Sequence, residues 1–181
     1  MRDVTTLRNL GKPYAQVLHP FWWGFELFKS NGGSVMDVLD HLRAEHQRIQ
    51  ALFEQIRGER GKQQRKLLYD NISHDIHLHV YAEQNIFYPV FKTYEELTDL
   101  LTLSHSKCEG LKTLLRQLDL VDYRSVEFEN KILELENHFN DHITQDESDF
   151  FTITRKIMNQ RERERVGEAF QALENEREEA S

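Results

Sequence analysis

The sequence predicts an all-α protein, an antiparallel up-down four-helix bundle with an aromatic N-terminal extension and a short C-terminal helix. Three observations lead there. Charged residues make up 30 % of the chain while Gly (8) and Pro (3) are scarce, the mix of long amphipathic helices with solvated outer faces. Apolar residues recur at three- and four-residue spacing through four long segments, the period of one helical face. The connections between those segments are short, which makes consecutive helices antiparallel neighbours. A chain of 181 residues is long enough for one domain with a core.

The predicted organisation is an extension over 1–33, the bundle over 34–159 and a charged helix over 160–181. The extension carries Pro20-Phe21-Trp22-Trp23-Gly24-Phe25, too short to span a bilayer and read as a lid packed on the bundle. The competing reading makes the Trp22-Trp23 segment a docking surface for a protein partner or a second copy.

The first bundle helix opens at Ser34-Val35-Met36-Asp37, a capping-box-like start. Its apolar line is Val35, Val38, Leu39, Leu42, Ile49, Leu52, Phe53 and Ile56. His46 fills the gap between Leu42 and Ile49, while His41 lies off the line and is expected in solvent. Gly58 and Gly61 end the helix.

The second helix runs from about Gln63 to Phe91, with Leu68, Ile72, Ile76, Ile86, Phe87 and Val90 on one stripe. His79 and Glu83 share that stripe, His74 and His77 lie beside it, and Pro89 should kink or end the helix. The third spans roughly Tyr94 to Leu118 on Leu97, Leu101, Cys108, Leu111, Leu115 and Leu118. His105, four after Leu101 and three before Cys108, is placed on the stripe, with Glu109 at its edge.

Ser125 caps the fourth helix, whose line is Ile132, Leu135, Phe139, His142, Asp146, Phe150, Ile153 and Ile157. His138 and Glu147 fall at its margin. The tail from Gln160 has a thin apolar face of Val166, Phe170 and Leu173, and is expected to lie on the bundle.

Several functions are disfavoured. A net charge of −8 opposes nucleic acid and anionic membrane surfaces. Cys108 is the sole cysteine, so no intrachain disulfide and no cysteine-rich zinc or iron–sulfur site can form. It is read as a small buried hydrophobe. There is no phosphate-binding glycine loop or nucleophile elbow. The absence of a leader-type apolar run and of a spanning segment predicts a cytoplasmic protein.

The chemistry lies in what interrupts the stripes. His46, His79, His105 and His142 each sit mid-stripe on a separate helix, and Glu83 and Asp146 follow two of them by one turn. Buried acids and imidazoles without partners are expensive, and a cation satisfies both. Six such ligands exceed what one tetrahedral ion takes, so two ions bridged by the two carboxylates are expected, iron being the favoured metal. Glu109, His138 and Glu147 are alternative ligands at the edges.

Four blocks resemble the hemerythrin-like, or HHE cation-binding, family: Val38 to Ile56 around Glu45-His46, His79 to Pro89 with Glu83 and Phe87, Ser104-His105 with the Leu-rich run after it, and His142 to Phe151 with Asp146 and Glu147. The resemblance implies a bundle around two non-haem iron ions with an oxo or hydroxo bridge. It makes His46, His79, His105 and His142 terminal ligands and Glu83 and Asp146 bridges. Two departures stand out. The family's oxygen carriers have a second histidine where this chain has Glu109, which weakens a role in simple oxygen carriage. The fourth-helix acid varies in position, and here Asp146 and Glu147 fill both places. The implied function is binding of, or reaction with, oxygen, peroxide or nitric oxide. The alternative is a non-catalytic iron or oxygen sensor acting through a partner.

Overall fold

The structure is a computed structural model that describes residues 36–179. The N-terminal extension, its Trp22-Trp23 segment and the Ser34 start therefore lie outside the described residues. Among those described, every regular element is helical: α1 Val38–Gly58, α2 Lys62–Ala82, α3 Thr98–Leu118, α4 Val126–Gln145, α5 Phe151–Ile157 and α6 Gln160–Glu179. None is long and apolar enough to cross a membrane.

Local chemistry sets the boundaries. Asp37 caps α1, its carboxylate accepting from the Leu39 N–H at 3.0 Å, which sets the start of the helix at Val38. Ser125 caps α4 through the Phe128 N–H at 3.0 Å, as its sequence position predicts. Asn159 and Glu162 form a reciprocal capping box at the start of α6.

α1 to α4 enclose one core. α1 packs on α2, α2 on α3, α3 on α4, and α4 returns against α1. Phe53, Ile72, Leu111, Leu115, Leu135 and Phe139 are fully buried along its length. One end is tied by Arg65, which reaches the Glu59 and Tyr123 carbonyls and the Glu129 carboxylate, and by the Tyr69 hydroxyl, which reaches the Leu115 carbonyl. α6 lies across α1 and the end of α2, burying Val166 and Phe170. His41, expected in solvent, is instead buried edge-on against Phe170 at 5.6 Å, because α6 covers the flank of α1 that carries it.

Two interruptions position the site. After Ala82 the backbone widens into a π-turn over Glu83–Phe87 and then tightens into a 3₁₀ turn over Tyr88–Phe91. After Gln145 a second π-turn spans Asp146–Phe150 before α5. The second and fourth predicted helices are therefore each broken at their carboxylate. Pro89 helps to explain the first break, since its ring opposes the ordinary hydrogen bond back to Asn85. A π-turn inserts one residue per turn and rotates everything after it, a feature frequent at functional sites.

Candidate metal centre

α1 supplies His46 and Glu45, both buried on the same side. α2 delivers His79 at its last turn, and the first π-turn opens on Glu83. α4 delivers His142 in the same way, and the second π-turn opens on Asp146. His79, Glu83, His142 and Asp146 are sealed from solvent. The imidazoles pack edge to face, with ring centres 5.0 Å apart for His46 and His79 and 5.6 Å for His79 and His142.

The polar atoms converge. His142 Nε2 lies 2.9 Å from Glu83 Oε2 and 3.2 Å from Asp146 Oδ2, and His79 Nε2 lies 3.4 Å from Glu83 Oε1. Yet His46 Nε2, His79 Nε2, His142 Nε2, Glu83 Oε1 and Asp146 Oδ2 have no hydrogen-bond partner of acceptable geometry. Lone pairs crowded together without bonds between them are the arrangement of donors around a cation. Ligand atoms of His46, His79, Glu83 and Asp146 lie within 4.8 Å of one another, as do those of Glu83, Cys108 and His142.

The far side of two rings is anchored. His79 Nδ1 donates to Glu45 at 2.9 Å, and His46 Nδ1 donates to Glu147 at 2.8 Å. A carboxylate on one nitrogen fixes the tautomer that leaves the other nitrogen's lone pair for an ion. Tyr88 points its hydroxyl at both Glu83 and Asp146, 3.2 Å from each.

Electrostatics agree with the donor set. Burial lowers His46 to about 4, and lowers His79 and His142 as well, so the rings are neutral and their lone pairs free. Burial pushes Glu83 up to about 8, with hydrogen bonding from Asp146 and then Tyr88 acting against it. Asp146 is raised by burial first and by the neighbouring Glu83 charge second. The field inside the cluster lacks positive charge, and a divalent ion supplies it. The residues fit a metal.

Two of the sequence-derived ligands are not brought into the cluster. Glu147 is 38 % exposed and serves as the partner of His46 Nδ1. His105 is only half-buried, held by the Gln84 amide at 3.4 Å, with Glu109 outside on Lys112 at 2.8 Å. The helical wheel explains this. At about 100° per residue, His105 lies roughly 90° from the centre of the α3 apolar stripe, while Ser104 lies within roughly 15°. Ser104 and Cys108 are accordingly the inward pair. The sequence reading gives Glu45 and Tyr88 no part in the site and takes Cys108 only as a small buried hydrophobe. Glu45 was findable, since it sits three after Leu42 and four before Ile49.

The hemerythrin HHE cation binding domain profile matches residues 37–154. The chain belongs to the hemerythrin HHE cation binding domain family. An HHE domain protein of known structure, the Rv2633c homolog from Mycobacterium kansasii, shares the fold with a TM-score of 0.71 at 20 % identity, over 80 % of this chain and 90 % of that one. A curated relative is a DNA nickase from Nostoc sp. (strain PCC 7120 / SAG 25.82 / UTEX 2576), 24 % identical over 140 residues. Those residues are 77 % of this HHE protein and 40 % of the nickase, so the chain spans less than half the length of that relative.

Proposed function

We propose that this HHE protein is an antiparallel four-helix bundle holding a non-haem di-iron centre that binds or reacts with oxygen, peroxide or nitric oxide. The observation that carries the reading is the set of bond-less imidazole nitrogens and carboxyl oxygens meeting in a dry core. His46, His79 and His142 would supply the nitrogen donors, and Glu83 and Asp146 the carboxylate oxygens. Mixed imidazole and carboxylate donors suit iron. When bound, reduced iron supplies an open coordination position for a small diatomic ligand or peroxide.

The chain's own residues do the rest. Glu45 and Glu147 aim two imidazoles. Phe139 and Phe151 pack on the histidine rings and exclude water. Burial keeps the Tyr88 phenol protonated, so it holds a proton 3.2 Å from both carboxyl groups. The net charge of −8 opposes a polyanion, and the nickase activity of the Nostoc relative is not part of this reading.

The test is elemental analysis of protein from iron-replete cells, followed by stopped-flow absorbance of the ferrous form with each ligand. Two irons per chain and a spectral change with at least one ligand are expected. Metal-free protein, or a silent spectrum with all three, overturns the proposal.

A further inference from the structure

We propose that Cys108 is a thiol ligand of this centre, forming with Glu83 and His142 a second cation position that shares Glu83 with the His46, His79 and Asp146 position. The inference rests on the metal reading above and extends it to α3. Among α1 to α4, α3 is the one whose stripe histidine does not reach the cluster.

The helix register leads to the sulfur. Leu101, Ser104, Cys108 and Leu111 are the buried residues along the middle of α3. Ser104 is already engaged, its hydroxyl donating to the Leu100 carbonyl and accepting from the Gln145 amide. Cys108 is held more loosely. Its fully buried thiol donates to Glu83 Oε2 across a long 4.0 Å.

A second observation points to a ligand at the same spot. His142 is sealed from solvent, and neither of its ring nitrogens has a hydrogen-bond partner. One of its ring nitrogens, the Cys108 sulfur and a Glu83 oxygen lie mutually within 4.8 Å. Sulfur and oxygen on one tetrahedral ion, with bonds of about 2.3 and 2.1 Å, are about 3.6 Å apart. A few tenths of an ångström of closure converts the observed contact into shared coordination.

The step balances simply. The S–H bond breaks, a metal–sulfur bond forms, and the proton leaves to solvent, with no change of oxidation state in the incoming divalent ion. The result is an asymmetric centre, with nitrogen and oxygen donors on one side and a soft thiolate on the other. Thiolate favours zinc, copper(I) or iron over magnesium, calcium or manganese.

The experiment loads the full chain with zinc or with cobalt(II). Zinc-edge X-ray absorption of the wild type is expected to show a sulfur shell at about 2.3 Å beside nitrogen and oxygen at about 2.0–2.1 Å. The cobalt protein is expected to show a near-ultraviolet thiolate charge-transfer band. Cys108→Ser should lose that band and bind its last ion at least about tenfold more weakly. Wild-type absorption needs no variant, so a misfolded Cys108→Ser leaves the test intact. Full metal occupancy without a sulfur shell overturns the thiol ligand and leaves the metal centre standing. No bound metal at all overturns both.

Discussion

Glu45 and Glu147 act on the two imidazoles through the nitrogen that faces away from the cluster. Their effect on metal binding is therefore indirect, through ring orientation and basicity. Removing such an outer carboxylate typically costs 10–100-fold in metal affinity. We expect Glu45→Gln, which keeps the size, to weaken binding by about that range in a chelator competition, with the circular dichroism unchanged. Tyr88 acts on the acids instead. Its hydroxyl lowers Glu83 against the upward push of burial. Tyr88→Phe removes that hydrogen bond, so Glu83 holds its proton to higher pH. The midpoint of metal binding against pH should move upward in the variant. An unmoved midpoint would show that the phenol does not touch the acids in solution.

At the scale of elements, α6 is fixed by a close approach. A methyl group built on Gly167 would collide with the Met36 backbone carbonyl, which has no flexible end to swing away. Gly167→Ala should destabilise the fold by about 1–3 kcal/mol, as overpacking does. Gly110, mid-α3, has only the His138 ring at an ordinary 3.7 Å, so Gly110→Ala should stabilise by roughly 0.5–1 kcal/mol. Urea melts of the two variants check the opposite signs. The same elements show why some of the structure was legible and some was not. The apolar stripes of α1, α3 and α4 follow the 3.6 period, so those helices could be placed from sequence, and Ser125 marked the α4 start. His105 was misplaced because a three-or-four spacing admits both 104 and 105. Only the full stripe, averaged around the wheel, separates them. Tyr88 was hidden for another reason. Five residues after Glu83, it falls off that face in a regular helix, and only the π-turn carries it back to the cluster. Burial of His41 depended on where α6 lands, which no local pattern encodes.

For the whole molecule, the cluster couples stability to pH and metal. In the metal-stripped protein Glu83 rises from 4.5 to about 8, so the stability it contributes is complete below about pH 4.5 and is lost as pH climbs to 8. His46 falls from 6.5 to about 4, so its contribution is complete above pH 6.5 and is lost on acidification. Between pH 4.5 and 6.5 the two oppose each other. At pH 6.5 the unfolded imidazoles are only half-titrated, so up to about pH 7.5 the histidines still offset part of the acids' effect, and beyond that the buried acids act alone. Glu83 should therefore withdraw about 2 kcal/mol of stability from the stripped protein between pH 6.5 and 8, Asp146 acting in the same direction and the histidines offsetting part of it. A bound ion reverses the slope, because it requires the deprotonated acids and displaces their protons, so its affinity and the stabilisation it brings grow with pH. Thermal melts of loaded and chelated protein at pH 6.5 and 8 should thus diverge, the gap in Tm widening toward pH 8. Parallel curves would mean that Glu83 and Asp146 are already ionised and paired in the stripped protein. That outcome would remove the electrostatic reason for expecting a cation at their meeting point.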